Sequence, residues 1–340
     1  MRPPSSIPSS EIPGLARLLK RGSLLLAPLA AILLVFVTWD PFHLFWPVDS
    51  PLVKGALMND RLFQARWLLE HHERYDAFIV GSSRSKAFRT SAWAPYLPTG
   101  STPFHMGVND ESLFGVARKL AFLEREGYAL RHVLLAVDAR ILERPINPLP
   151  HIFREYPAVS GEAMAEYYKR YLVALLDPRF LYAYGVWRTT GVSLDRTRIW
   201  TEDFEYVRNT GDHIYAALDK ERASDPSGYY ERRASIFERP GPRLGRPVLA
   251  PEGRRLLAEI AALLRRQQTD LRVVVTPNFD QVSLAPEDLA ALRTLFGADR
   301  VWDFSGMNRF TTDLHNYYEE RHFVPSVADD ILATLYKDPQ

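Results

Sequence analysis

The sequence predicts an α/β protein whose parallel sheet has helices on both faces. Short, largely apolar runs typical of fully buried strands recur along the chain, at 77–80, 133–137, 272–276 and 301–304. Longer segments with apolar residues at helical spacing lie between them. Strands that alternate with helices form parallel sheets, because each helix carries the chain back along the sheet before the next strand begins.

Composition excludes several classes of function. The 340 residues carry a formal net charge of +1, and no basic stripe interrupts the mixture of charges, so we expect no nucleic-acid partner. Cysteine is absent, which rules out disulfides, thiol catalysis and cysteine-ligated metals. The sequence also lacks an HExxH motif and a glycine-rich phosphate loop. We therefore expect neither a metal nor a cofactor.

The N-terminal region predicts a membrane anchor. Residues 1–13 are rich in proline and serine, and we expect them to be disordered; basic residues follow, and we expect residues 1–21 to form a cytoplasmic tail. The uncharged run at 22–39 reaches the lower limit for spanning a bilayer, and aromatic residues gather at its end. A cleaved signal peptide and a buried helix are the alternatives. The expected protein is a single-pass inner-membrane protein with an extracytoplasmic domain at 50–340.

Helices and strands alternate through this domain, apart from one irregular region. Apolar spacing predicts helices at 59–72, 111–126, 251–267, 285–295 and 325–336. Asn59 and Asp110 are the expected N-caps of the first two. Residues 104–107 form a short, mostly apolar stretch. Residues 150–245 show no clear strand, and we expect a helical and irregular insertion over the sheet edge, where substrate specificity often resides.

A serine-rich turn follows the first predicted strand. The strand at 77–80 breaks at Gly81, and Ser82, Ser83 and Ser85 follow. Such a turn lies at the carboxyl edge of the sheet, where open α/β folds bind ligands. A helix start there offers free N–H groups to a developing negative charge. Ser83 is the candidate nucleophile, with the other two serines as rivals and a simple helix cap as the structural alternative.

His322 supplies the complementary chemistry. It follows Glu319 by three residues, in a loop that we expect to open the last helix at the same edge of the sheet as the serine turn. A serine, an acid and a histidine can act as nucleophile, base-orienting group and base, which is the composition of a catalytic triad. A lone histidine more often has a structural role, and Glu320 is a second acid at a different spacing.

Several segments resemble the SGNH (GDSL-like) hydrolase superfamily. They are VGSSRSKAF, MGVNDESLF, LLAVDARIL, and VWDFSGMNRFTT with YYEERHFVPSVADDIL, within 75–140 and 270–336. The likeness is strongest to membrane-anchored envelope members that act in alginate O-acetylation and teichoic acid D-alanylation. The resemblance implies a three-layer, flavodoxin-like fold. It also implies Ser83 as nucleophile and Glu319 with His322 as the D-x-x-H block, with Glu in place of Asp.

The resemblance suggests oxyanion donors as well. The family uses the N–H of the nucleophile, a glycine N–H and an asparagine side chain from a G-x-N-D block, and Gly107 and Asn109 stand in that string here. Asp138 occupies the position of the family's third block, and an ionised carboxylate cannot donate a hydrogen bond. Either Asn109 supplies the donor, or two backbone N–H groups suffice, or the site is impaired. Asn109 and Asp110 also fit a simple turn and helix cap.

The expected function is ester chemistry at the cell envelope. Ser83 would attack an ester carbonyl and pass the acyl group to water or to a sugar hydroxyl, as a hydrolase or an O-acyltransferase. The resemblance implies an acylated envelope polysaccharide as substrate, and the cytoplasmic membrane and a membrane-bound O-acyltransferase as partners. The alternative is a catalytically degenerate member that binds glycan or scaffolds a membrane assembly, because residues 82, 138 and 319 depart from the family pattern.

Overall fold

A computed structural model describes residues 13–46, 52–54, 59–71, 74–192, 205–239 and 241–337. The chain divides into two units, residues 1–47 and 48–340. Residues 1–12 of the predicted tail lie outside the described residues.

Within the described residues of the first unit, 13–46, a helix spans Pro13–Trp39; it starts before the predicted anchor at 22–39 and ends where that anchor ends. The carboxylate of Asp40 accepts the backbone N–H groups of Leu44 (2.6 Å) and Phe45 (2.8 Å), so the chain turns directly after the helix. None of the helices in the described part of the chain is both long and apolar enough to cross a membrane. The anchor stays a prediction.

The second unit is built on a five-stranded parallel sheet. Its strands, numbered β1 to β5 in chain order, are Ala77–Gly81, Pro103–His105, His132–Val137, Asp270–Val275 and Val301–Asp303. They lie in the order β5-β4-β3-β1-β2, and every neighbouring pair is parallel. The predicted α/β class with a parallel sheet is confirmed. The direction of winding reverses between β1 and β3, and open α/β sheets bind ligands at the carboxyl ends of strands beside such a point.

Helices flank the sheet and bury their apolar stripes. Alternate strand residues face opposite sides of a sheet, and on one side Ile79 and Leu134 belong to a core cluster with Ile331 of the last helix, Pro325–Leu335. The other long helices of the sheet region are Leu113–Arg125, Pro251–Arg266 and Pro286–Phe296. The second of these packs against both of the others. Another helix of 11 residues spans Asp60–Glu70, and shorter helices span Thr90–Trp93, Ala139–Leu142 and Arg309–Thr312.

The insertion at 150–245 contains strands as well as helices, so the expectation of no strand there is wrong. Its helices are Pro157–Ser160, Met164–Leu175, Pro178–Thr190, Ala216–Ser224 and Pro226–Glu231. Its strands Glu205–Val207 and Asp212–Ile214 form an antiparallel sheet with Leu52–Lys54, and Arg243–Leu244 pairs with Val282–Ser283. Strands of two or three residues are too short to show an alternating apolar pattern, and two of these three also pair with segments that are remote in sequence.

One predicted helix cap is wrong and one is confirmed. The helix Leu113–Arg125 is capped by Ser112, whose hydroxyl accepts the N–H of Gly115 at 3.0 Å. Asp110 has a φ of 51°, and its carboxylate pairs instead with Arg140 (2.8 Å) and Arg144 (2.6 Å) from a segment thirty residues further along the chain. Asn59 does cap its helix, by accepting the N–H of Leu62 at 3.2 Å.

Candidate active site

A cleft of about 890 Å³ contains every predicted catalytic residue. The residues that follow β1, β3 and β4 line it, and so does the antiparallel hairpin at 317–323. Its apolar lining includes residues from the insertion as well as the sheet region: Ile141, Phe153, Tyr215 and Leu218. Three of these four come from the region expected to cover the sheet edge. The cleft therefore combines a polar floor at the strand ends with an apolar wall supplied by the insertion.

The serine turn is held tightly against the sheet. A Cβ atom at Gly81 would lie 2.6 Å from the carbonyl oxygen of Ala136 on β3, so only glycine fits where β1 ends. A short 3-10 helix, Ser83–Ala87, follows directly, and the hydroxyl of Ser82 accepts the N–H of Arg84 at 3.4 Å as its cap. The close approach of the two strands thus fixes where Ser83 emerges at the cleft.

The structure brings Ser83, His322 and Glu319 into one hydrogen-bonded chain. Nε2 of His322 lies 2.7 Å from Oγ of Ser83, and Nδ1 of the same ring contacts the carboxylate of Glu319. The predicted loop around His322 is a hairpin of the strands Tyr317–Glu319 and His322–Phe323, in which Glu319 stands opposite His322. A separation of three residues therefore produces a cross-strand pair that holds the imidazole between acid and hydroxyl.

The surroundings of Glu319 keep its carboxylate ionised. Burial raises the pKa of Glu319. Hydrogen bonding to His322, the charge of His322 and the N–H of Arg321 together lower it by more, so the pKa lies below its ordinary value. The N–H of Arg321 donates to the second carboxylate oxygen at 3.1 Å. A carboxylate held in this state can orient the imidazole and stabilise its protonated form. Glu320 pairs instead with Arg321 on the protein surface.

Ser85, one of the rival nucleophiles, is fully buried. Its Oγ donates to the carbonyl oxygen of Ser82 at 2.7 Å and lies 3.1 Å from Nε2 of His105. His105 is also fully buried, and burial together with the charges of His213 and two lysines lowers its pKa well below the ordinary value. His105 was not among the predicted site residues. The one available signal was its position within the short, mostly apolar stretch at 104–107, which overlaps the end of β2.

The two predicted oxyanion residues occupy different places. Asn109 lines the cleft together with Ser83. Gly107 is not among the described residues that line the cleft; its carbonyl accepts a hydrogen bond from Gln64 at 3.1 Å, and a Cβ there would lie 2.0 Å from Oγ of Ser85. The space occupied by Ser85 is sufficient reason for the glycine at 107.

Asp138 lines the cleft at the end of β3 and acts as an acceptor on both of its oxygens. One oxygen accepts the N–H of Ile141 at 3.0 Å and caps the helix Ala139–Leu142. The other accepts the hydroxyl of Ser82 at 3.0 Å and forms an ion pair with Arg84 at 2.8 Å. An ionised carboxylate in this arrangement has no proton to offer an oxyanion.

The described residues include no group of three or more histidine, aspartate or glutamate side chains that could hold a metal ion. No family model matches the chain, and no curated protein matches its sequence. The site is therefore interpreted from its geometry and its chemistry.

Proposed function

We propose that this chain is a serine-dependent ester hydrolase or O-acyltransferase that works through an acyl-serine intermediate. The observation that carries the proposal is the contact between Ser83, His322 and Glu319 at the wall of a large cleft. A serine hydroxyl is a weak nucleophile until an adjacent base takes its proton, and the 2.7 Å distance is within reach of that transfer.

The proposed reaction has two halves. Oγ of Ser83 attacks the ester carbonyl while Nε2 of His322 takes its proton, and the same nitrogen then gives the proton to the departing alcohol. Water or a sugar hydroxyl next attacks the acyl-serine, with His322 again as the base, and the serine is regenerated. Glu319 stabilises the imidazolium formed in both halves. The acceptor that reaches the cleft determines whether the outcome is hydrolysis or acyl transfer.

Charge that develops on the carbonyl oxygen needs hydrogen-bond donors. Asn109 in the cleft lining and the N–H of Ser83 at the start of its short helix are the proposed donors. Loss of one such donor typically costs about 10²- to 10³-fold in rate. Gly107 stays a candidate only through its backbone N–H. A site with two donors would be slower than one with three, yet still catalytic.

The proposed substrate is an acylated cell-envelope polysaccharide. The resemblance to the SGNH superfamily supports this, and the strand order 2-1-3-4-5 is that of flavodoxin-like sheets, which the resemblance implies. The proposal includes an N-terminal membrane anchor, a location of the catalytic domain outside the cytoplasmic membrane, and a membrane-bound O-acyltransferase as partner. The aromatic and apolar wall of Phe153, Tyr215 and Leu218 is suited to the apolar faces of sugar rings.

Labelling with a fluorophosphonate tests the proposal directly. Wild-type protein is expected to be labelled, and Ser83→Ala is expected to lose the label entirely. Ser85→Ala is the matched control, because it removes a hydroxyl from the same turn but from a buried position. Label lost in Ser85→Ala and kept in Ser83→Ala would show that the nucleophile is wrongly assigned. A folded wild-type protein without label would favour the alternative of a glycan-binding or scaffold protein, for which Asp138 in the cleft is the structural argument.

A further inference from the structure

The guanidinium of Arg84 connects three separate segments around the proposed active site. One terminal nitrogen pairs with Asp138 after β3 at 2.8 Å, and the other donates to Oδ1 of Asn278 after β4 at 3.1 Å. Nε donates to the carbonyl oxygen of Arg321 at 3.3 Å. Arg84 itself directly follows Ser83. Each nitrogen of one side chain is thus used to join the serine turn to a different part of the cleft.

One of these contacts joins the turn that carries the nucleophile to the hairpin that carries its base. Arg321 directly precedes His322, so the bond from Arg84 to the Arg321 carbonyl ties the serine turn to the hairpin that carries the imidazole. The two loops are otherwise far apart in the sequence, and the 2.7 Å contact between Ser83 and His322 requires that they keep a fixed separation. A misplacement of about 1 Å can cost on the order of 10²-fold in rate.

Arg84 also balances a charge that works against the proposed reaction. The carboxylate of Asp138 lines the same cleft as Ser83 and accepts the hydroxyl of the preceding residue, Ser82, at 3.0 Å, so it lies close to the serine on which the tetrahedral intermediate would develop negative charge. An unbalanced anion at this place would repel that intermediate and favour the protonated form of a nearby imidazole. The side chains of Arg84 and Asp138 are only 16% and 8% exposed, so solvent screens their interaction weakly.

We propose that Arg84 is a positioning residue that sets the separation of Ser83 and His322 and neutralises Asp138 beside them. This inference rests on the proposed function. A role in binding an anionic substrate is less consistent with the geometry, because all three guanidinium nitrogens already contact protein groups. Asp138 stands where the family pattern has an asparagine. Its proposed role here is that of the counterion that holds Arg84.

The test compares Arg84→Met, Arg84→Lys, Asp138→Asn and the double variant Arg84→Met/Asp138→Asn by the rate of fluorophosphonate labelling. Arg84→Met is expected to label about 10²-fold more slowly, with its pH–rate profile moved to higher pH. The double variant is expected to recover at least tenfold and to regain the wild-type profile, because the unpaired carboxylate is gone. Arg84→Lys is expected to keep the profile and lose rate, because an ammonium keeps the charge but not the three contacts. Asp138→Asn alone is expected to be no faster than wild type.

An NMR titration of the His322 ring separates this inference from the proposed function, because it requires no reaction. The titration midpoint is expected to rise in Arg84→Met and to return in the double variant. Arg246→Met is the matched control, since Arg246 pairs with Glu143 on the surface and its side chain is 80% exposed. An Arg84→Met protein with the wild-type labelling rate and midpoint overturns the inference. The inference is also overturned if Arg84→Met labels more slowly only because it melts at a lower temperature, and if the double variant does not recover the labelling rate. If the wild-type protein is not labelled but its His322 midpoint still shifts when Arg84 is replaced, the proposed reaction is refuted and this inference stands.

Discussion

The short helix Ser83–Ala87 carries two serines, two residues apart, and each contacts a histidine from another segment in an opposite environment. Oγ of Ser83 is 2.7 Å from His322 at the cleft, and Oγ of Ser85 is 3.1 Å from His105 in the interior. The side chain of His322 is 29% exposed, whereas Ser85 and His105 are completely buried. On distance alone the two pairs are nearly equivalent. A serine–histidine contact is therefore not in itself evidence of a nucleophile.

The charges around the two imidazoles differ in sign. His322 contacts the carboxylate of Glu319, which favours the imidazolium that a general base becomes. Burial and then the charges of His213, Lys86 and Lys119 favour the neutral form of His105, and they outweigh the opposing charge of Asp60. A base in catalysis needs both access to the substrate and an anion behind it. Of these two pairs, only the pair at the cleft has both.

The largest expected effect is the loss of activity when the proposed base or its acid partner at the cleft is removed. His322→Ala is expected to lower turnover of an activated ester by about 10⁴-fold or more, because the serine loses its base. Glu319→Ala is expected to retain some activity, with a loss of about 10²- to 10⁴-fold, because the imidazole remains but is no longer oriented. Steady-state kinetics with a melting curve for each variant measure both effects. Turnover equal to that of wild type in either variant would remove that residue from the proposed triad.

The second effect concerns the buried pair and acid stability. His213 lies 3.2 Å from Asp60 and next to His105, and burial followed by the charge of Lys86 lowers its pKa to about 4 despite the opposing charge of Asp60. The unfolded chain binds a proton at this histidine below about pH 6.5, and the folded chain does not until about pH 4. The free energy of unfolding should therefore fall as the pH falls between these values, by on the order of 3 kcal/mol.

Urea unfolding at a series of pH values measures the slope of the free energy of unfolding against pH. His213→Asn is expected to flatten the slope between pH 6.5 and 4 relative to wild type, with the remaining slope owed partly to His105, whose pKa is also lowered. His315→Asn is the matched control, because His315 lies on the exposed surface beside Asp313. A His213→Asn protein with the full wild-type slope would show that the buried histidine does not carry the effect.

The smallest expected effect comes from the buried serine. Ser85→Ala removes the hydrogen bond to the Ser82 carbonyl and the contact with His105, and should lower the free energy of unfolding by about 1–2 kcal/mol. Fluorophosphonate labelling at Ser83 should persist, because the cleft does not depend on that hydroxyl. A Ser85→Ala protein that is fully folded and as stable as wild type, yet unreactive, would contradict the assignment of reactivity to the Ser83–His322 pair and of a structural role to the Ser85–His105 pair.

Much of the fold followed from local pattern. The predicted helices of the sheet region show apolar residues at helical spacing, and the predicted strands are short apolar runs; both differ from the expected bounds by a few residues. The cap at Asn59 was also predicted, because a local side chain bonds to a nearby N–H. Asp110 failed as a cap because Arg140 and Arg144 bind its carboxylate, and no pattern within one helix contains that information. The short strands of the insertion were missed because two or three residues show no alternating pattern, and because two of these strands also pair with remote segments.

The sequence by itself determined the parallel α/β architecture, the glycine-ended strand β1 with its serine turn, and the residue types of a possible triad. Only the tertiary structure decided which serine meets which histidine. It placed Ser83 beside His322, 239 residues away in the chain, and enclosed Ser85 with His105. The physical reason is that burial and the field of surrounding charges depend on every segment packed around a group, whereas a sequence motif records only its neighbours along the chain.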